Sequence, residues 1–357
     1  MELIKIKLKD LDDFCRSELF QKLETKPISP LRLKSYIANP RAEKDDTVLH
    51  IFIENETLIA FRAVLPDLAY NEDGSSFRFA WCSGVWADPK HRGKKLWRPL
   101  LEEAMKDWDN KLLLANYAPI TQALYTKENL FEPLLSRKGY RFYFKPDFKQ
   151  IFKNRISNPV FKPFLSFANA IAGMAYCIKS KFSATVPDIR IEEQERPDRE
   201  CINLMQSISE STLFRRGEKE LNWIFDYPWV TEKTDVACRY PFSYDNIKCK
   251  IKAVKYFYQD AFAGFFIYSI INREMKVLYH FENKSSELSA VDPILQIAKT
   301  NKISHLTILS PSLSEKIRKK TDHFLFSKPY CSNIYRSFNF SYHDFLVFDG
   351  DGDNCFT

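Results

Sequence analysis

Glycine is scarce in this chain, at 9 residues of 357. Each one is therefore expected where backbone geometry asks for it: Gly74 in a hairpin turn, Gly84 as a strand interruption, Gly93 in a strand-to-helix turn, Gly139 at a helix end. Closely paired cysteines are missing. Cys15, Cys82, Cys177, Cys201, Cys238, Cys249, Cys331 and Cys355 are scattered, which excludes zinc-ribbon and redox spacings. A disulfide framework is not expected at this length, so the thiols are read as reduced and the protein as cytoplasmic. A long apolar run is missing as well. The longest uncharged stretch, Pro163–Ile178, falls short of the roughly 18–20 residues that cross a bilayer. MELIKIKLKDLDDF at the N-terminus lacks the apolar core of a signal peptide. Neither sign of charge dominates: 53 Lys and Arg against 46 Asp and Glu give a net +7. That bias suits an anionic ligand but implies no specific nucleic-acid partner.

Aromatic residues are plentiful, at 15%, with 30 Phe, and hydrophobic residues reach 45%. This is enough for more than one packed core, and the length suits two domains. Residues 1–152 alternate strand and helix patterns: strands at Leu3–Leu8, Val48–Glu54, Leu58–Leu65, Phe77–Ala87, Leu112–Tyr117 and Tyr140–Tyr143, with helices between. Residues 153–186 form an apolar linker with basic flanks and one helix near Pro163–Ile178, read as buried between domains, as an oligomer contact or as lying on a membrane surface. Residues 187–357 run strand, helices, three strands, helix, strand, helix, strand, the order of the first half without its residue identities. Each half is therefore expected to form its own mixed sheet flanked by helices, and the two to superpose.

The stretch Val85–Lys106, VWADPKHRGKKLWRPLLEEAMK, reads as a strand end, a basic turn and a helix whose apolar stripe holds Trp97, Leu100, Leu101, Ala104 and Met105. A helix N-terminus offers unpaired N–H groups and partial positive charge, which suit a pyrophosphate. Ala87-Asp88-Pro89-Lys90-His91-Arg92-Gly93-Lys94-Lys95-Leu96-Trp97 resembles the V-x-P-x-Y-R-G-x-G-x-G pattern of the GCN5-related N-acetyltransferase family, and the element order of residues 1–150 is similar to that family's. The resemblance implies two such mixed α+β domains in tandem. It also implies acetyl-CoA or another acyl-CoA as co-substrate, with phosphates on Arg92, Gly93, Lys94 and Lys95 and pantetheine on the backbone of Val85 and Ala87.

The chain departs from the pattern. Lys95 and Trp97 replace the second and third glycines, and His91 replaces the tyrosine. The family's tyrosine acid precedes a K-x-G-F-like ending. With Arg137-Lys138-Gly139-Tyr140 taken as that ending, the position holds Leu135, which donates no proton, and Tyr125 is the candidate substitute. The strand Phe77–Ala87 carries no carboxylate near Gly84, so a general base must come from elsewhere. Cys82 reads as a buried, inert thiol.

The second half has no R-G-x-G turn between Phe281 and Pro293 and reads as a degenerate copy that walls an acceptor cleft. Trp229 is its stacking candidate. Asp349 and Asp351, in the tail Asp349-Gly350-Asp351-Gly352-Asp353-Asn354, are candidates for an acidic wall that attracts an amine. The tail resembles the start of an EF-hand loop but lacks its twelfth-position Glu, so no metal is expected. The expected activity is acyl transfer to an amine or hydroxyl acceptor, on a small molecule, a saccharide or a peptide, between the halves. The alternatives are a transferase similar to the Fem-type enzymes, which use aminoacyl-tRNA, and a non-catalytic binding protein that kept the fold.

Overall fold

A computed structural model describes residues 1–115, 125, 128–144, 171, 189–230, 239–243, 248–283, 289–342 and 345–356. The expected linker helix near Pro163–Ile178 lies outside these residues, apart from Ile171. The described residues contain twelve strands: β1 (Glu2–Lys7), β2 (Thr47–Glu54), β3 (Thr57–Tyr70), β4 (Ser76–Ala87), β5 (Leu112–Ala115), β6 (Glu132–Tyr143), β7 (Ile189–Gln194), β8 (Cys249–Tyr258), β9 (Ala261–Ile271), β10 (Glu274–Glu282), β11 (His305–Ile308) and β12 (Phe326–Arg336). The described helices are α1 (Leu11–Arg16), α2 (Glu18–Lys22), α3 (Pro30–Ile37), α4 (Trp97–Asp107), α5 (Arg199–Ser207), α6 (Glu218–Asp226), α7 (Val291–Thr300) and α8 (Pro311–Lys319).

The strands β2, β3, β8 and β9 are rich in aromatic and β-branched residues, which fit a pleated surface packed on both faces. Two-residue left-handed turns join them in pairs. Asn55 and Glu56 connect β2 to β3, and Gln259 and Asp260 connect β8 to β9, with φ between 47° and 62° at all four. Positive φ at both central residues matches the twist of a tight hairpin.

All twelve strands form one sheet, in the order β1-β2-β3-β4-β5-β12-β6-β11-β10-β9-β8-β7. This corrects the expectation of two separate sheets. The order reads the same from either end when each strand is exchanged with the one six places along. The interleaving occurs at the centre: β12 lies between β5 and β6, and β6 lies between β12 and β11. Long antiparallel pairing from Phe326↔Tyr143 to Arg336↔Glu132 therefore joins the two parts of the chain.

Gly139 belongs to β6 rather than to a helix end, and a Cβ there would collide with the Ile308 carbonyl of β11. The turn that enters β6 is instead at Asn129, with φ 51°. Arg137-Lys138-Gly139-Tyr140 therefore lies inside a strand and ends no helix.

The two faces of the sheet are covered differently. On one, α4 packs Leu101 and Ala104 over β3, β4 and β5, while α7 and α8 cover β9, β10 and β11 in a separate cluster. On the other, a single cluster runs through both parts of the chain. It includes Tyr36 of α3, Phe61 and Trp81, then Trp223 of α6, Tyr279 of β10 and Phe356 near the C-terminus.

Candidate active site

Strand β4 is where the sheet opens. Among the described residues it runs parallel to β5 only at Ala80↔Leu112 and Trp81↔Leu113, and then continues six residues to Ala87 without that neighbour. At the same point the register with β3 shifts: Cys82 faces Val64 and Gly84 faces Ala63, so Ser83 is the extra residue of a bulge. Beyond it, Arg62 faces Val85 and Ala60 faces Ala87. The Asp88 amide donates to the Ile59 carbonyl at 2.8 Å. Backbone groups of an antiparallel strand alternate in direction, so those of Val85 and Ala87 point away from β3, into the notch left by β5. These are the two residues expected to meet pantetheine.

The notch leads to the basic turn. A short 3₁₀ turn, Pro89–His91, starts on the Asp88 side chain, which accepts from the Lys90 amide at 2.7 Å. Gly93 follows at φ 94° and Lys95 at φ 53°. Lys95 thus keeps the left-handed backbone of the glycine it replaces, at a cost of about 1 kcal/mol. Leu96 is buried against Phe52, Ile59, Ala60 and Leu100, which anchors the turn and aims α4. Arg92, Lys94 and Lys95 are exposed, and none of them pairs with a carboxylate among the described residues. His91 packs in the turn, 3.9 Å from Glu54. Trp97 packs on the Tyr125 ring, with centroids 5.4 Å apart.

On the α4 face of the notch lies a buried guanidinium. Arg62 is 1% exposed and donates to the Tyr125 hydroxyl at 2.6 Å. Cys82 is its other described neighbour. Burial pushes that thiol's pKa up, against the pull of Arg62, which agrees with an inert thiol. Tyr125 is 2% exposed and packs against Phe131. Sequence reasoning missed Arg62, because a lone arginine in a strand carries no motif.

On the opposite face, Ser83 is the hub. Its hydroxyl donates to the Asp353 carboxylate at 3.0 Å and accepts from Arg32 Nη1 at 3.3 Å. Arg32 stacks on Trp229, 3.8 Å from the ring centre, and Trp229 stacks on Phe356 at 4.7 Å. Tyr36 packs on Trp229, and burial pushes its hydroxyl pKa up to about 12. Phe242, over Gly84, meets Phe61 and Tyr240, and Phe61 stacks on Trp86. Trp229 therefore belongs to this wall, but at 7% exposure it sits behind Arg32 as packing.

The acidic tail is not a solvated wall. It threads along both notches of the sheet. Gly350 donates to the Leu278 carbonyl at 2.9 Å and accepts from the Tyr279 hydroxyl at 2.6 Å, and Gly352 packs on the Trp81 ring. Asp349 and Asp351 are buried beside Arg137 and Arg216, so the structure gives them ion-pair roles instead of an open surface. Burial raises the pKa of both, against those guanidinium groups. Asp67 anchors the region. It accepts from Arg216 at 2.9 and 2.7 Å, from Arg41 at 2.8 Å and from Trp81 Nε1 at 2.7 Å. Burial alone would raise its pKa; Arg216 and Arg41 together hold it at about 2.

Strands β10 and β11 repeat the opening. They pair in parallel only from Glu274↔His305 to Lys276↔Thr307, and β10 bulges at Leu278. Here the Glu282 carboxylate accepts from the Ala290 amide at 3.0 Å and from Ser289, filling the start of α7 with negative charge. A carboxylate at this position opposes a second anion at the same helix start. Among the described residues no cluster of three or more His, Cys, Asp or Glu could hold a metal ion. No helix among them is long and apolar enough to cross a membrane.

No protein-family model matches the chain, and neither does any curated protein. Among solved structures, the chain is similar to a probable N-acyltransferase from Enterococcus faecalis V583, at 11% identity and a TM-score of 0.48, over 93% of this chain and 72% of that one. It is similar to a GCN5-related N-acetyltransferase from Kribbella flavida, at 13% identity and 0.49, over 94% and 71%. A third, a GCN5-related N-acetyltransferase from Anabaena variabilis ATCC 29413, shares 12% identity at 0.48, over 94% and 72%. At these scores none of the three decides function, and the reading below stands on the geometry of this chain.

Proposed function

We propose that the protein is an acyltransferase that takes its acyl group from acyl-CoA bound in the notch between β4 and β5. One observation carries this reading. The bulge at Ser83 and the parting of β4 from β5 turn the backbone of Val85 and Ala87 into an open slot, and that slot runs into a turn bearing Arg92, Lys94 and Lys95, which have no counter-charges among the described residues. Extended pantetheine can pair with such a strand edge as a further strand would. The pyrophosphate would lie on the turn and the start of α4.

Tyr125 and Arg62 would serve the leaving group. When the thioester C–S bond breaks, the thiolate needs a proton, and the Tyr125 hydroxyl is the candidate donor. Arg62 beside it favours negative charge on either oxygen or sulfur, in a site dry enough for that charge to count. The acceptor would enter on the other face, between the aromatic rings and the tail. The buried Arg62, whose described partners are a phenol and a thiol, supports this reading over a non-catalytic one.

Thermal unfolding with and without CoA tests this. CoA should raise the melting temperature of the wild type, because a ligand that binds only the folded state stabilises it. Replacing Arg92 and Lys94 together with Ala should weaken binding most at low salt, where screening is least. No shift at millimolar CoA would rule the reading out.

A further inference from the structure

Resting on the acyl-CoA reading, we propose that Asp353, delivered by the C-terminal tail, is the general base that takes the proton from an amine acceptor bound over Ser83. Three observations support it. First, the carboxylates near the notch are not equivalent. Asp67 is held by two guanidinium groups, and Asp351 lies 3.5 Å from Arg216. Asp88 is used on the Lys90 amide. Asp353 makes no direct ion pair among the described residues: it accepts from the Ser83 hydroxyl, with Arg32 on the far side of that hydroxyl, and keeps part of its surface exposed.

Second, the placement is right. Ser83 is the extra residue of the bulge, so Asp353 is anchored where β4 and β5 part. Tyr125 lies on the α4 face and Asp353 on the opposite one. Base and acid thus flank the position that the thioester would occupy. Burial also raises the Asp353 carboxyl pKa, against the opposing effects of Arg32 and Ser83, which makes it a better proton acceptor than an ordinary surface carboxylate.

Third, the surroundings select the acceptor. Phe242, 39% exposed, lies over Gly84 next to the Ser83 that holds this carboxylate, and is linked to the half-buried Trp86 through the buried Phe61, with the buried Tyr240 behind. Aromatic faces with one anionic group attract an organic ammonium, better still one carrying its own ring. Arg32 also faces this region, but it is engaged by Ser83 and stacked on Trp229. The substrate class is therefore a primary amine with an apolar or aromatic body.

The proton balance is simple. The ammonium loses one proton to Asp353 and becomes a free amine. Its lone pair attacks the thioester carbonyl, the C–N bond forms and the C–S bond breaks. The amine nitrogen loses its second proton as the thiolate gains one through Tyr125. The products are an amide and CoA thiol, and Asp353 releases its proton to water.

The test uses the full-length protein, acetyl-CoA and 2-phenylethylamine, with 2-phenylethanol as the control. The wild type should acetylate the amine and not the alcohol. Asp353→Asn should bind CoA within about two-fold of wild type, yet lose at least about 100-fold in kcat/KM, the usual scale for a general base. It should also lose the acidic limb of the pH profile that the carboxylate imposes, and Asp353→Glu should recover part of the rate. Unchanged kcat/KM and pH profile in Asp353→Asn would overturn the assignment. So would a wild type that binds CoA and leaves the amine untouched. Failure to bind CoA at all would instead refute the donor site, a distinct result.

Discussion

At the residue scale, Asp67 shows how a buried charge is made tolerable. Its carboxylate meets Arg216, Arg41 and the Trp81 indole, so no lone pair facing the interior goes unused. The replacement Asp67→Asn should destabilise the protein by about 3–5 kcal/mol, because two buried guanidinium groups lose the carboxylate they share and keep only Glu220 and Asp351; denaturant unfolding measures it. The pH sign follows from the depressed pKa. Asp67 contributes stability that is fully present above the unfolded value of 3.8 and is lost as pH falls through the folded value of about 2. That contribution amounts to about 2 kcal/mol. In wild type minus Asp67→Asn, the stability difference should shrink below pH 4. Catalysis gives a second residue-scale prediction. Tyr125→Phe keeps the ring packed on Trp97 and Phe131 but removes the hydroxyl that accepts from Arg62. Acyl transfer should fall about 10²–10⁴-fold with CoA affinity little changed. Wild-type turnover in this variant would move the acid elsewhere.

At the scale of elements, the turn before α4 separates what a motif says from what a backbone does. Lys95 and Trp97 look like lost glycines, yet Lys95 holds φ 53° and Trp97 packs inward on Tyr125. The turn keeps its shape because Leu96 is anchored in the core. Lys95→Gly should therefore stabilise the protein by up to about 1 kcal/mol, by relieving the left-handed lysine, and should weaken CoA binding by removing a cation. Much of this site was legible in the sequence: the strand–turn–helix succession, the cations, and the backbone slot at Val85 and Ala87. Two things were not. Gly139 invited a helix end where a close strand crossing demands a missing side chain. Arg62 and Asp353 act through contacts 63 and 270 positions apart along the chain, which no local pattern encodes.

At the scale of the whole molecule, the interleaved centre decides what can be cut. The repeated element order was visible in the sequence, but pairing between distant strands was not, because period-2 patterns do not name their partners. Among the described residues strand β6 pairs with β11 and β12 alone, both beyond residue 300. A fragment of residues 1–152 leaves β6 without a partner and β5 with two paired positions, so it should not fold. Full-length protein should unfold in one cooperative transition. A soluble, cooperatively folded 1–152 fragment with CoA affinity would contradict this. The tail adds to the same unity, since it leaves the notch at β10 and ends at the notch at β4.

The central claim is that the donor lies along the open edge of β4. Amide hydrogen exchange of the full-length protein, followed by mass spectrometry with and without saturating CoA, reads that edge directly. The Val85 and Ala87 amides face the notch, so the segment from Cys82 to Trp97 should exchange quickly without ligand and slow markedly with CoA bound. If CoA binds and protection appears only in the second notch, around Leu278 and Glu282, or nowhere along β4 and the turn, the donor site proposed here is wrong.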